Sequence, residues 1–260
     1  MKPIQSIAPI CALALLAGCA SLSEPRWQTI FDGETLAGWK PKITGEALGE
    51  DSLGTFSVQD GAIHADYDRY DEFGGRFGLL FYEREVSDYR LRFEYRFIGE
   101  QVAGGPEWAL LNSGAMLHSQ APETLALQAD APISVEAQLL GSHPAETQRT
   151  TGNVCTPGTR VSFGGTERND HCMASIIVAK PVGEWTLFEA DVRGGTSMRF
   201  YIDGELAFEL TDPVIDHDDL WGAGYRSDGE PLTSGYIALQ AESHGVEFRN
   251  IQLLDRNPVD

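Results

Sequence analysis

Ser234-Gly-Tyr-Ile-Ala-Leu-Gln-Ala-Glu-Ser-His-Gly-Val-Glu-Phe-Arg-Asn-Ile-Gln-Leu-Leu254 carries the pattern from which the fold is read. Ile237, Leu239 and Ala241 alternate with Tyr236, Ala238, Gln240 and Glu242, the two-residue period of a strand. Ser243-His244-Gly245 supplies turn chemistry, glycine being free to take positive φ. Val246 and Phe248 open a second apolar alternation, which Ile251 and Leu253 continue one residue out of phase. A bulge is therefore expected near Arg249-Asn250. The stretch reads as two strands returning on one another, with Gln240, Glu242, His244 and Arg249 exposed as polar groups.

The same period recurs along the chain. Tyr89-Arg-Leu-Arg-Phe-Glu-Tyr-Arg-Phe97 alternates most clearly, with Arg90, Arg92, Glu94 and Arg96 on the polar face. Asp60-Gly61 and Asp203-Gly204 mark hairpins. Asp66 to Arg76 reads as a loop and Gly78 to Phe81 as a strand. Trp108 to His118 and Ile133 to Leu140 follow, and the second places Glu136 and Gln138 on one face. Gly141 to Cys172 reads as one long loop. Met173 to Ala179, Trp185 to Val192 and Ser197 to Ile202 read as strands, and Asp212 to Glu230 as an acidic loop holding Trp221. Pro122 to Ala129 is the closest approach to a helix. Short strands separated by frequent turns predict an all-β sandwich or barrel.

The N-terminus reads as an address. Lys2 precedes an apolar run from Ile7 to Ala17, and Leu16-Ala-Gly-Cys19 is a lipobox. Residues 1–18 are expected to be a lipoprotein signal peptide, Cys19 the lipidated residue, 19–26 a tether and 27–256 one domain. The apolar run is too short for a permanent membrane helix, so membrane contact is expected through lipid alone. Ala20 after Cys19 resembles the pattern sent to the outer membrane, which predicts a lipid-anchored protein facing the periplasm. The formal net charge of −20 disfavours nucleic acid and anionic lipid as partners. Cys155 and Cys172 remain after processing and are expected to pair in an oxidising compartment, a closure worth about 3 kcal/mol. A metal site is the alternative for these two, with His171 the only adjacent ligand.

Six motifs then occur in a shared order: Phe31-Asp-Gly-x-x-Leu-x-Gly-Trp39, Asn112-Ser-Gly114, Glu136-x-Gln138, Gly183-Glu-Trp185, Asp203-Gly204, and Gly235-x-Ile-x-Leu-Gln240 running on to His244-Gly-x-x-x-Phe-Arg-Asn-Ile251. In this order the chain resembles the 3-keto-disaccharide hydrolase family. The resemblance implies a concanavalin-A-like jelly-roll sandwich of two antiparallel sheets, with a ligand groove on the concave face. It departs from the family pattern at His118, where members often carry Arg, and at Leu140-Gly141, where many carry an acidic residue. The Cys155–Cys172 loop reads as a local elaboration.

A 3-keto sugar has an acidified C2 proton and a leaving group on C1, β to the ketone. Its cleavage needs a base, a group polarising the keto oxygen and an acid for the leaving oxygen. Glu136 is the first candidate for base or metal ligand, on a strand otherwise apolar; pairing with a core arginine such as Arg96 is the alternative. His118 is the second catalytic candidate. Glu136 with His118 and the loop residue His143 would suit a divalent ion on the keto oxygen, though no cofactor is required by the spacing. Asn112, Gln138, Gln240, His244 and Arg249 are candidate sugar contacts, and Trp108 and Trp221 candidate stacking platforms. Trp27, Trp39 and Trp185 read as core or edge anchors. The expected activity is cleavage of a 3-keto-glycoside by C2 deprotonation, elimination and hydration. A non-catalytic carbohydrate-binding module is the alternative, and an ordinary endo-glucanase is disfavoured by the single acidic strand position.

Overall fold

The strongest alternation in the sequence becomes the centre of one sheet. Asp88–Gln101 is a strand with Tyr89, Leu91, Phe93, Tyr95 and Phe97 all buried. It pairs with Thr186–Arg193 on one side and His244–Asp255 on the other. The computed structural model describes residues 26–257 apart from positions 144, 147 and 169. The expected signal peptide, Cys19 and the tether up to position 25 lie outside the described residues.

Among the described residues, two antiparallel sheets of ten and seven strands stack as a jelly-roll sandwich. The seven-stranded sheet runs in the order Cys172–Met173, Asn153–Cys155, Val135–Leu140, Asn112–Ser119, Tyr236–Ala241, Gly78–Tyr82, Trp39–Ile43. Its inward residues, including Ala115, Leu117, Ala137, Leu139 and Leu239, share one core with Leu91, Phe93, Phe188 and Phe248 of the larger sheet. Asp60-Gly61 and Asp203-Gly204 form the expected tight hairpins, all four residues having positive φ.

Ser234 to Leu254 is not a hairpin. Tyr236–Ala241 pairs with Gly78–Tyr82 and Asn112–Ser119 in the smaller sheet. His244–Asp255 pairs with Asp88–Gln101 and Ala62–Ala65 in the larger one. Glu242 and Ser243 carry the chain between sheets, Ser243 at φ +75°. The crossing lets Ile237, Leu239 and Ala241 face Val246 and Phe248 within one core, which a hairpin lying in one sheet would not do. The bulge is where expected: register shifts between Arg249 and Gln252, with Asn250 at φ +55°.

The segment read as one long loop also differs. Asn153–Cys155 joins the smaller sheet beside Val135–Leu140, and Thr159–Phe163 joins the larger beside Glu205–Ile215. Its Gly, Thr and Asn content masks these short strands. Met173 to Ala179 is likewise broken, because Ile177–Val178 leaves to pair with Thr150–Thr151. Pro122–Thr124 is only a single 3-10 turn.

Phe93 packs against both Phe188 and Phe248, at ring centroid separations of 5.0 and 5.6 Å. Phe93→Ala should therefore cost about 3–5 kcal/mol, read as a lowered denaturant midpoint. An unchanged midpoint would contradict this packing.

Candidate active site

Register decides which side chains share the outer face of the seven-stranded sheet. Val135, Ala137 and Leu139 point into the core, so Glu136 and Gln138 point out. On the next strand Ala115 and Leu117 point in, leaving Asn112, Gly114 and Met116 outward. Gly114 pairs with Gln138, and Glu136 lies between Met116 and Cys155. On the far side Leu239 pairs with Ala115. Continuing that register sets Gln240 beside Gly114 and Glu242 beside Asn112.

Gly114 determines where the Glu136 carboxyl lies. A Cβ at position 114 would fall 2.4 Å from Glu136 Oε1. The missing side chain is thus the space through which Glu136 leans across the central strand, toward Gln240 and Glu242. Leu79, Phe81, Met116 and Ala238 form a small apolar cluster on the same face, closing the floor at the other end.

These groups line a cavity of about 510 Å³. Two aromatic pairs stand on its walls. Trp108, 60% exposed, stacks on Phe77 at 6.0 Å beside the Gly78–Tyr82 strand. Trp221 stacks on His171 at 5.3 Å at the opposite flank, its indole N–H donating to Asp130 Oδ1 at 3.0 Å. The Cys155–Cys172 disulfide joins directly opposed residues of the two flanking strands and lines the cavity next to His171. Flat apolar faces above a polar floor are what a sugar ring requires of a site.

The floor is acidic and buried. Burial pushes the Glu136 carboxyl up to about 8. Burial, and then the nearby Glu136 and Asp130, hold Glu242 well above the usual carboxylate range. Arg96, the alternative partner for Glu136, instead pairs with Glu247. Gln240 Nε2 donates to Glu242 Oε1 at 3.0 Å, and Asn153 Nδ2 donates to Gln138 Oε1 at 3.0 Å. The second bond leaves the Gln138 NH2 group for a ligand acceptor.

Glu136, Asn112, Gln138, Gln240, Trp108 and Trp221 are brought together as the sequence predicts. His118 is not. It is fully buried, with ring nitrogens 3.1 Å from the carbonyl oxygens of Leu232 and Ser87, and it packs on Tyr89. Strict alternation would put it on the face of Asn112, but it has φ +48° and the strand pairing slips between Met116 and Ser119. That bulge turns His118 inward after Leu117.

Arg249 is also elsewhere. It pairs with Glu94 and lies 3.8 Å over the Trp185 ring, on the outer face of the larger sheet. His244 is buried against Phe97, with neither ring nitrogen hydrogen-bonded among the described residues; burial and then Arg149 push its pKa down to about 4. His143 lines a separate cavity with Arg149, so the expected grouping of Glu136 with two histidines does not form. Among the described residues no three His, Cys, Asp or Glu side chains gather as a metal-binding group. Glu242, Asp130, His171 and Phe77 were not assigned to the site from sequence. Glu242 had a usable signal, since its alternation with Gln240 put it on the same face.

The 3-keto-alpha-glucoside-1,2-lyase-like domain family matches residues 26–254. No curated protein matches the sequence. Among solved structures, a protein of Parabacteroides distasonis ATCC 8503 provisionally designated a glycosyl hydrolase is 19% identical, with a TM-score of 0.54 over 89% of this chain and 94% of its own. A second such protein from that organism is 18% identical, TM-score 0.52, over 88% and 98%. The alginate lyase AlyC3 is 11% identical, TM-score 0.52, over 85% and 91%. At these identities the likeness is one of fold.

The buried carboxyl makes stability depend on pH. The folded chain keeps the Glu136 proton up to about pH 8, whereas the unfolded chain releases it near the ordinary value of about 4.5. The stabilisation is complete below the unfolded value and is lost as pH rises through the folded one. In buffer free of divalent ions, Glu136→Gln should flatten the fall in Tm between pH 5 and pH 8. At pH 8 it should raise Tm by about 2–4 °C, the shift for about 1 kcal/mol in a chain of this size. Parallel Tm profiles for the two proteins would contradict the buried, protonated carboxyl.

Proposed function

Because the chain belongs to the 3-keto-alpha-glucoside-1,2-lyase-like family, we propose that its cavity cleaves 3-keto-glycosides by elimination. Membership ties the chain to glycoside-directed chemistry or carbohydrate binding. The observation that carries the catalytic reading is a buried carboxyl aimed, through the space left by Gly114, into a cavity walled by two aromatic pairs. A pure binding surface has no need to bury a carboxyl without a cationic partner, which is costly.

In this reading the sugar ring lies between the Phe77–Trp108 and His171–Trp221 walls. Glu136 in its ionised form removes the C2 proton, and the electron pair left on C2 delocalises into the C3 ketone. The Gln138 NH2 group supports the developing negative charge on the keto oxygen. The C1–O bond then breaks, and Glu136 returns its proton to the departing oxygen. Water adds to C1 of the unsaturated sugar while C2 takes a proton from solvent. Base and acid are thus one residue, reused in sequence.

A second reading is supported by a particular feature. Glu242 gives the site a second carboxyl that the sequence reading did not count, and ordinary glycosidases use a carboxyl pair. The 3-keto reading is preferred because of the family. We further propose that the chain is a lipoprotein anchored through Cys19 to the outer membrane, facing the periplasm. The support is the lipobox, and Cys19→Ser should abolish labelling by a radioactive fatty acid.

Incubation with a 3-keto-glucoside and with its unoxidised parent tests the reaction. Release of the aglycone is expected from the keto compound only, with a loss of about 10²–10⁴ in kcat for Glu136→Gln. His118→Gln should lower Tm and leave kcat within a few-fold. Sugar binding without release would establish the binding-module alternative, and release from the unoxidised parent would establish the ordinary glycosidase.

A further inference from the structure

The cavity that holds Glu136 does not end at its walls. Beyond Trp221 lies a second cavity of about 300 Å³, which shares Trp221 and Ala131 with the first. His171 covers one face of the Trp221 ring and Asp130 accepts from its N–H, so the indole stands as a held partition between the two. Beyond Trp108 lies a third cavity, lined by Glu107, His143, Glu146 and Arg149. A ligand reaching past Trp108 therefore meets charged groups. Past Trp221 it meets none: among the described residues no Asp, Glu, Lys or Arg lines the second cavity.

Register orders the floor on either side of Glu136. Glu136 pairs with Met116, Gln138 with Gly114, and Asn112 lies further along the same strand. The carboxyl and amide groups thus extend to one side of Glu136. On the other side Met116 joins Leu79, Phe81 and Ala238, and Leu125 packs on that cluster. The same two strands lead on to Gln120 and Ile133, where the Ile133 N–H donates to Gln120 Oε1 at 2.8 Å. Leu125, Gln120 and Ile133 all line the second cavity. A sugar ring over the polar side of Glu136 therefore directs a C1 substituent over Met116 and into it.

The make-up of this cavity suits an apolar occupant. Ala126, Ala129, Ala131 and Ala223 leave its space open, and Trp221 and Tyr225 supply flat aromatic walls. Gln120 and Thr124 are engaged with their own neighbours: Gln120 Nε2 donates to Thr124 Oγ1 at 3.0 Å, and Thr124 Oγ1 to the Ala121 carbonyl at 2.7 Å. A second sugar would lose hydration at its hydroxyls there while gaining few protein partners. We propose that the second cavity is the leaving-group subsite and that it selects an apolar, aryl-bearing alcohol as the aglycone. The identity of the departing group rests on the proposed elimination; the charge-free cavity behind Trp221 does not.

Methyl and 2-phenylethyl 3-keto-glucosides test the subsite, because they release alkoxides of similar basicity and differ in the group offered to the cavity. The full chain should show a kcat/KM about tenfold or more higher for the 2-phenylethyl compound, the discrimination that apolar contacts give. Ala126→Glu and Ala223→Glu, both at exposed positions, each put a carboxylate into the cavity and should lower that ratio toward one. A variant that folds poorly lowers both rates together, and the wild-type ratio then decides alone. Calorimetric binding of the unoxidised methyl and 2-phenylethyl glucosides to the wild type reads the same preference without the reaction. Equal kcat/KM for the keto pair, equal affinity for the unoxidised pair, or a ratio unaltered in both variants overturns the subsite. Cleavage of neither keto compound, with the binding preference intact, would count against the proposed reaction and not against the cavity.

Discussion

Two carboxyl groups buried on either side of one glycine set the terms for the rest of the site. Glu136 reaches across the central strand only because Gly114 has no side chain, and Glu242 waits on the next strand's end. Neither has a cationic partner among the described residues; burial holds both toward the neutral form, and the nearby Glu136 and Asp130 push Glu242 further. Such an arrangement is costly unless the surrounding fold enforces it. The sandwich enforces it from below, through the packed faces of Ala115, Ala137 and Leu239. The Cys155–Cys172 edge encloses it from the side.

The connection at Glu242-Ser243 links fold to chemistry. Because the chain changes sheets there, Glu242 is held at the rim of one sheet while His244 is already inside the other. A hairpin would have left Glu242 at a mobile, solvated turn. Crossing between sheets instead buries it beside Gln240, with a hydrogen bond that fixes both side chains. The same crossing sends Arg249 to the far face, where it serves Glu94 and Trp185.

Much of the fold was legible because its strands are amphipathic. Tyr89 to Phe97 announces its buried face without ambiguity, and the two Asp-Gly turns announce their hairpins. Strands buried on both faces are harder. Asn112–Ser119 is buried throughout, so its alternation cannot say which side faces the core, and one bulge reverses His118. A two-residue link reads equally well as a hairpin or a crossing, so Ser234 to Leu254 crosses between sheets where its pattern suggests a hairpin, with the bulge where the phase slip puts it. Glu136 and Gln138 were found because polar residues on an apolar strand are rare. Phe77, Asp130 and His171 reach the site from loops whose paths depend on tertiary contacts, and no local pattern marks them.

The reaction proposed for this cavity begins with removal of the C2 proton of a 3-keto sugar. It can be read from the product by nuclear magnetic resonance after cleavage of a 3-keto-glucoside in D2O. Elimination followed by hydration should leave deuterium at C2 of the released keto sugar, with incorporation and release lost together in Glu136→Gln. Control incubation of the product sugar with the enzyme separates this from later exchange. A product that keeps its original C2 proton would contradict the account and point to direct displacement at C1.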